Sequence, residues 1–261
     1  MNGRERIRGK GLSYTYLTRA GETLALEGLD LAVRDGEFCS IVGPSGCGKS
    51  TLLAIFCGLL RPTQGQVLLD GQPMRGTDGR IGIILQKDHL FEWRTVLQNA
   101  ELGLEIRGRS SAEARRRAHA LLQAYGLGGF EGSYPYQLSG GMRQRVALIR
   151  TLATDPDILL LDEPFSALDY QTKLILERDL HRIIRDNRKT ALLVTHDIEE
   201  AVSMSDRVIV LSGRPAQVKK VYDIGLTVTA DRTPMNSRDA PEFRGYCKSI
   251  WEDLDIERRT L

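Results

Sequence analysis

The chain has 261 residues, of which 41% are hydrophobic and 27% charged, ordinary values for a globular protein with ample material for a packed core. These proportions exclude a disordered, collagenous or disulfide-stapled chain. Lys plus Arg number 36 against 34 for Asp plus Glu, and a surplus of +2 is too small to require nucleic acid as a partner. Cys39, Cys47, Cys57 and Cys247 form no Cys-x-x-Cys pair, and free thiols of this kind fit a reducing cytosol. The N-terminus carries no apolar signal region. The longest strongly apolar stretch, Leu52 to Leu60, falls far short of the ~20 residues that span a bilayer. A membrane role therefore has to come through a partner.

Residues 12 to 70 read as strands joined by turns. Leu24 to Val33 alternates in part, Asp35-Gly36 is a hairpin turn signal, and Phe38 to Val42 is a short apolar run. A helix is expected from about Lys49, and a second hairpin-like piece, Gln66 to Leu69, closes at Asp70-Gly71. The runs Ile81–Leu85, Ile158–Leu161, Ala191–Val194 and Val208–Leu211 are apolar without alternation, the pattern of strands covered on both faces in a parallel sheet. Helical stretches lie between them, which predicts an α/β fold. Residues 95 to 154 read as mostly helical. Ser110 and Glu113 are spaced as a capping box opening a run to Ala124, and a helix from Ser139 carries Met142, Val146, Ile149 and Ala153 on one apolar face. This predicts a helical subdomain, about residues 88–156, inserted into the α/β core. After Gly213 the tail holds Pro215, Pro234 and Pro241, then an amphipathic Phe243 to Leu254 expected to pack on the core.

Three segments carry chemistry. Gly43, Pro44, Ser45, Gly46, Cys47, Gly48, Lys49 and Ser50 match Gly-x4-Gly-Lys-Ser/Thr between a predicted strand and a predicted helix. Glycines let backbone N–H groups converge on phosphate oxygens, Lys49 offers charge to the β- and γ-phosphates, and the Ser50 hydroxyl suits Mg²⁺. A thiol inside the loop raises the expectation that alkylation of Cys47 blocks nucleotide. Ile158 to Pro164 is an apolar strand ending in Asp162 and Glu163. Adjacent strand residues point to opposite faces, so one acid can hold Mg²⁺ through water while the other serves as general base. Finally, Leu138-Ser-Gly-Gly-Met142 opens a helix with two glycines in its first turn, each costing about 1 kcal/mol relative to Ala. Ser139 is a sufficient N-cap by itself. A bare backbone there makes sense if a phosphate held elsewhere approaches closely.

Phosphate loop, Leu-Ser-Gly-Gly-Met, acid pair, the following Ser166 to Asp169, and His196 at a strand end together resemble the nucleotide-binding subunit of ABC transporters over about residues 8–215. The resemblance implies a P-loop NTPase (RecA-like) core with an antiparallel β subdomain and the inserted helical subdomain, leaving 216–261 as a tail. It implies an ATPase using ATP and Mg²⁺. Glu163, His196 and Gln86 are then catalytic. Ser50, Gln86 and Asp162 serve the metal, and Tyr16, or alternatively Tyr14, stacks on adenine. Residues 43–51, including Thr51, bind the phosphates. Ser139, Gly140, Gly141 and Asp169 act across a homodimer interface. Phe91 to Leu97, Tyr134 to Arg145 and Thr195 to Ala201 look like the nitrate/sulfonate/taurine importers within the family. Two departures are Glu92 for the usual proline before Trp93 and Tyr136 for the common histidine before Gln137. The implied partners are integral-membrane permease subunits at the cytoplasmic face of the membrane and, indirectly, an extracytoplasmic solute-binding protein, with no nucleic acid. An exporter ATPase, or a soluble ABC ATPase acting on nucleic acid or the ribosome, are the competing readings.

Overall fold

The computed structural model describes residues 3–19, 21–108, 112–166 and 168–254. It opens with a long antiparallel hairpin, β1 (Glu5–Thr18) against β2 (Gly21–Arg34). The other edge of β1 takes β4 (Gln64–Leu69), which pairs with the short β5 (Gln72–Pro73), giving a four-stranded sheet in the order β2-β1-β4-β5. Asp70 and Gly71 turn β4 into β5 with φ of 52° and 78°. Two consecutive positive φ values are what a two-residue hairpin turn needs, and an Asp-Gly pair adopts them readily.

The expected hairpin at Asp35-Gly36 is corrected. The chain does turn there, with Gly36 at φ 70° and the Asp35 amide bonded to the Arg4 carbonyl at 2.8 Å. The next strand, β3 (Phe38–Val42), joins a different sheet, between β8 (Thr190–Val194) and β9 (Arg207–Leu211). Burial is the physical reason. β2 alternates between exposed and buried positions, whereas all five residues of β3 are buried and require cover on both faces.

That second sheet has six strands in the order β10-β9-β3-β8-β7-β6, completed by β6 (Ile81–Ile84), β7 (Ile158–Asp162) and β10 (Val218–Asp223). β9, β3, β8, β7 and β6 run parallel, and β10 is an antiparallel edge. Strand alternation divides the core in two. Ile158, Leu160, Leu192 and Val194 face the four-stranded sheet and α1 (Lys49–Phe56), while Leu159, Leu161, Ala191 and Leu193 face the helices on the other side.

The insertion consists of α2 (Val96–Ile106), α3 (Ala112–Ala124) and α4 (Gly140–Ala153), packed through Val96, Ala100, Leu104, Ala118, Leu122, Val146 and Ile149. The Ser110 cap predicted for α3 lies outside the described residues. A capping box does open α2, where Thr95 and Gln98 satisfy each other's amides. After β7 come α5 (Tyr170–Asp186), α6 (Ile198–Met204), α7 (Pro234–Asp239) and α8 (Phe243–Leu254). The amphipathic stretch predicted in the tail is α8, whose buried Phe243 and Ile250 pack with Val208, Val210 and Ala201. The tail also supplies β10, which the sequence did not announce: Val-Lys-Lys-Val-Tyr-Asp has neither steady alternation nor a continuous apolar run.

Candidate active site

The parallel strands end side by side, and each delivers one group or loop just beyond its C-terminal end, where ligands bind in open α/β sheets. In sheet order these are Arg214 after β9, residues 43–50 after β3, His196 after β8, Asp162 and Glu163 at the end of β7, and Gln86 after β6. A cleft of about 390 Å³ opens here, lined by Tyr16, Thr23, Ala25, Ser45, Gly46, Gly48, Lys49, Ser50, Thr51, Glu163 and Arg214.

The loop between β3 and α1 is shaped by close approach. Gly48 has φ 122°, and a Cβ there would come within 2.9 Å of Leu26 Cδ2 and 3.0 Å of the Ala25 carbonyl. Only glycine meets both conditions. Lys49 is buried, and its ammonium donates to the Gly43 and Pro44 carbonyls at 2.8 and 2.9 Å. Gly43, Pro44 and Cys47 stand behind the cleft rather than lining it. Cys47 is 1% exposed and belongs to the core beneath the four-stranded sheet, and burial pushes its thiol pKa up. The expectation that alkylation of Cys47 controls the site is therefore corrected, because the sulfur faces the core and is a poor thiolate. Of the two tyrosines, Tyr16 lines the cleft and its hydroxyl hydrogen-bonds Thr51 Oγ1 at 3.0 Å. Tyr14 packs against the core and meets Tyr16 edge-on, ring centroids 4.8 Å apart.

Ser50 Oγ donates to Asp162 Oδ1 at 3.3 Å, and burial pushes the Asp162 carboxyl above the usual range, with the neighbouring Glu163 adding to the effect. A cation between hydroxyl and carboxylate would relieve that. Among the described residues no cluster of three or more His, Cys, Asp or Glu could hold a metal ion. One hydroxyl and one carboxylate match the sparse protein ligation by which Mg²⁺ is held beside phosphates, so the residues fit this ion. Glu163 has φ 46°, a left-handed conformation that costs a non-glycine residue of order 1 kcal/mol and concentrates at functional sites. Its amide bonds the Val194 carbonyl at 2.9 Å, holding the turn. The Glu163 carboxylate then stands 3.1 Å from His196 Nδ1 and 3.4 Å from Gln86 Nε2. Two sequence-predicted residues, following two other strands, thus converge on one carboxylate oxygen of Glu163.

Surrounding contacts hold these loops. Gln144 of α4 donates to the Pro164 carbonyl at 2.9 Å, and Arg143 reaches Asp88 at 2.9 Å and Glu92 at 2.8 Å, tying the segment after Gln86 to α4. Glu92, the residue that departs from the family's proline, thereby has a partner. Beside His196, Lys173 of α5 bonds Asp197 at 2.6 Å and Glu200 at 3.0 Å. Asp197 also caps α6 through the Glu200 amide, so α5 and α6 are clamped where His196 leaves the sheet.

Ser139, Gly140, Gly141 and Asp169 do not line the cleft. Ser139 caps α4 by accepting from the Met142 amide at 3.3 Å, and Asp169 caps α5 by accepting from Thr172 at 3.0 Å. The two glycines differ. A Cβ on Gly141 would fall 2.5 Å from Thr172 Cγ2, so packing of α4 on α5 explains it, whereas a Cβ on Gly140 meets nothing within 4 Å. The motif from Ser166 to Asp169 includes Ala167, which lies outside the described residues.

The ABC transporter family profile matches residues 26–166, more than half of the chain. The chain belongs to the ABC transporter family. It is 45% identical over 252 residues to an uncharacterized ABC transporter ATP-binding protein of Methanocaldococcus jannaschii, covering 97% of this chain and 92% of the relative. It is 41% identical over 243 residues to the nitrate import ATP-binding protein of Synechocystis, covering 92% and 91%. A solved ATP-binding cassette, a dimer in a post-hydrolysis state with ADP and phosphate, superimposes with a TM-score of 0.75 at 36% identity, covering 84% of this chain and 99% of that one. The protein is thus an ABC ATPase, the ATP-binding subunit of a transporter, on a P-loop NTPase fold. No helix among its described residues is long and apolar enough to cross a membrane. In this ABC ATPase the cleft gathers Thr23, Ala25 and Arg214 beside the residues expected from sequence. The motifs gave no hint of these three, and Arg214 is 168 residues from the glycine it touches.

Proposed function

We propose that this subunit powers uptake of a small solute of the nitrate/sulfonate/taurine class through a membrane permease. The observation that carries the catalytic part is the convergence of Gln86 and His196 on the Glu163 carboxylate at the end of the phosphate cleft. ATP is the substrate. Tyr16 stacks on adenine, and residues 43–51 with Lys49 hold the phosphate chain. Glu163 accepts a proton from the attacking water as the water oxygen bonds the γ-phosphorus and the bond from that phosphorus to the β–γ bridging oxygen breaks, releasing ADP and phosphate, while His196 and Gln86 fix the carboxylate and bond the γ-phosphate end. Ser50 would hold Mg²⁺, with Asp162 and Gln86 beside it, and the bound ion would neutralise charge on the phosphate oxygens.

The outward-facing start of α4 supports a head-to-tail homodimer, in which Ser139, Gly140 and Gly141 of one copy meet the γ-phosphate held by the other and Asp169 links the two sites. ATP favours the closed pair because its phosphates contact both copies. Hydrolysis removes that differential affinity and the pair opens. Import as the direction is supported by the 41% identity with a nitrate import ATP-binding protein over 92% of this chain. The reading places the subunit on the cytoplasmic face of the membrane, against permease subunits served by an extracytoplasmic solute-binding protein. The test is to tag the chain, isolate it from native membranes in mild detergent and identify what co-purifies. A polytopic permease with a solute-binding protein is expected. Ribosomes or nucleic acid in their place would refute the transport reading and leave the ATPase.

A further inference from the structure

Arg214 follows β9 just as the phosphate loop follows β3, and β9 and β3 are neighbours in the sheet. The chain between β9 and β10 is pinned on both sides. The Ser212 amide bonds the Gln217 carbonyl at 2.9 Å, and the Ala216 amide bonds the Ala25 carbonyl of β2 at 2.9 Å. Arg214 is therefore presented from a fixed turn. Its Nε and Nη2 donate to the Gly46 carbonyl at 3.1 and 2.7 Å, and the side chain is one wall of the cleft. A Cβ on Gly46 would lie 3.3 Å from Arg214 Nη2, so the guanidinium lies close against the loop itself.

The charge balance around this group is unlike that of Arg143, Arg185 and Arg207. Arg143 is paired with Asp88 and Glu92, Arg207 with Glu37, and Arg185 with Asp206. Among the described residues no carboxylate lies within ion-pair distance of Arg214. Lys49 has the same arrangement, its ammonium bonded to two loop carbonyls and to no carboxylate. A carbonyl orients a cation without neutralising it. A guanidinium has five N–H donors, and the Gly46 carbonyl takes two, which leaves three for a ligand. Two unneutralised cations on one glycine-rich loop suit a polyanion better than one does.

We propose that Arg214 is a nucleotide-binding residue, a second cation for the phosphate chain of the nucleotide, held in place by the Gly46 carbonyl. The proposal rests on the reading of this cleft as the ATP site. Arg214 acts in the binding step, so its loss weakens ADP as well as ATP and is expressed in KM.

The test is calorimetric titration of Mg·ADP into the full-length wild-type, Arg214→Ala, Arg214→Gln and Arg214→Lys chains at low and high salt, with melting curves of each ligand-free protein. The Ala and Gln variants are expected to bind about tenfold more weakly at low salt, the scale of a charge-assisted contact at a partly exposed site. The deficit should narrow at high salt, where screening already weakens the wild-type contact. Lys, which keeps the charge but loses the planar fork, should recover part of the affinity. Ligand-free melting should be unchanged in all three. Wild-type affinity in both Ala and Gln variants would overturn the proposal. So would a deficit that ignores salt and accompanies a lowered melting temperature, since Arg214 would then only brace the loop. A wild-type chain that does not bind Mg·ADP would overturn the reading of the cleft itself, an outcome distinct from either of these.

Discussion

Two glycine-rich segments of this ATPase sit at helix starts, and the chain treats them differently. Around residues 43–51 the protein supplies its own walls: Leu26 and Ala25 press on Gly48, Tyr16 bonds Thr51, and Arg214 bonds Gly46. At the start of α4, Ser139 and Gly140 are exposed, and a side chain added at Gly140 would meet nothing. Glycine in a helical turn costs about 1 kcal/mol relative to Ala, and no packing within this chain accounts for it at Gly140. On the proposed reading the first segment is one half of a nucleotide site, and the second meets a nucleotide carried by another copy. Gly141 marks the boundary between the two situations, since its neighbour Thr172 already explains it.

Substitutions can break this contrast in order of expected effect. Lys49→Ala should weaken Mg·ATP binding by at least about a hundredfold, because the buried cation proposed to meet the phosphates is lost. Direct titration checks this, and tight binding by the variant would remove the phosphate-loop assignment. Gly140→Asp separates folding from turnover. A carboxylate in the first turn of a helix is favourable by a few tenths of a kcal/mol, so melting and nucleotide binding should be retained. Turnover should nevertheless fall by about a hundredfold if a phosphate has to approach that turn, the scale of losing one preorganised donor site. Gly141→Ala should act in the opposite way, lowering stability by about 1–3 kcal/mol through overpacking against Thr172. If Gly140→Asp hydrolysed ATP at the wild-type rate, the second segment would have no part in the chemistry.

Much of the architecture was legible because its signals are local. Apolar runs without alternation that are only four or five residues long, such as Ile158–Leu161 and Ala191–Val194, are too short for a buried helix and read as strands covered on both faces, and they form the middle of the parallel sheet. Phe243 to Leu254 reads as an amphipathic helix and packs as one. Asp35-Gly36 misled because a turn signal states that the chain reverses and not which sheet receives the next strand. β10 was invisible because an edge strand with Lys219 and Lys220 on it carries no burial pattern. The site divides in the same way. Gln86, Asp162, Glu163 and His196 were marked by short motifs, and the sheet order brings them together. Arg214 belongs to no motif, and its place follows only from β9 lying beside β3. Cys47 shows the reverse error, a residue inside a motif whose side chain turns into the core.

On the proposed reading a complete catalytic site needs the phosphate cleft of one copy and the α4 start of another. This requirement is tested most directly by sedimentation velocity of Glu163→Gln with Mg·ATP, alongside its hydrolysis rate. Removing the carboxylate proposed to take the proton should slow turnover by roughly 10²–10⁴ while ATP stays bound. This ATP-loaded variant is expected to sediment as a dimer and to return to monomer when ATP is withdrawn. A chain that binds ATP, hydrolyses it slowly and remains a monomer at every concentration of nucleotide would contradict the shared site.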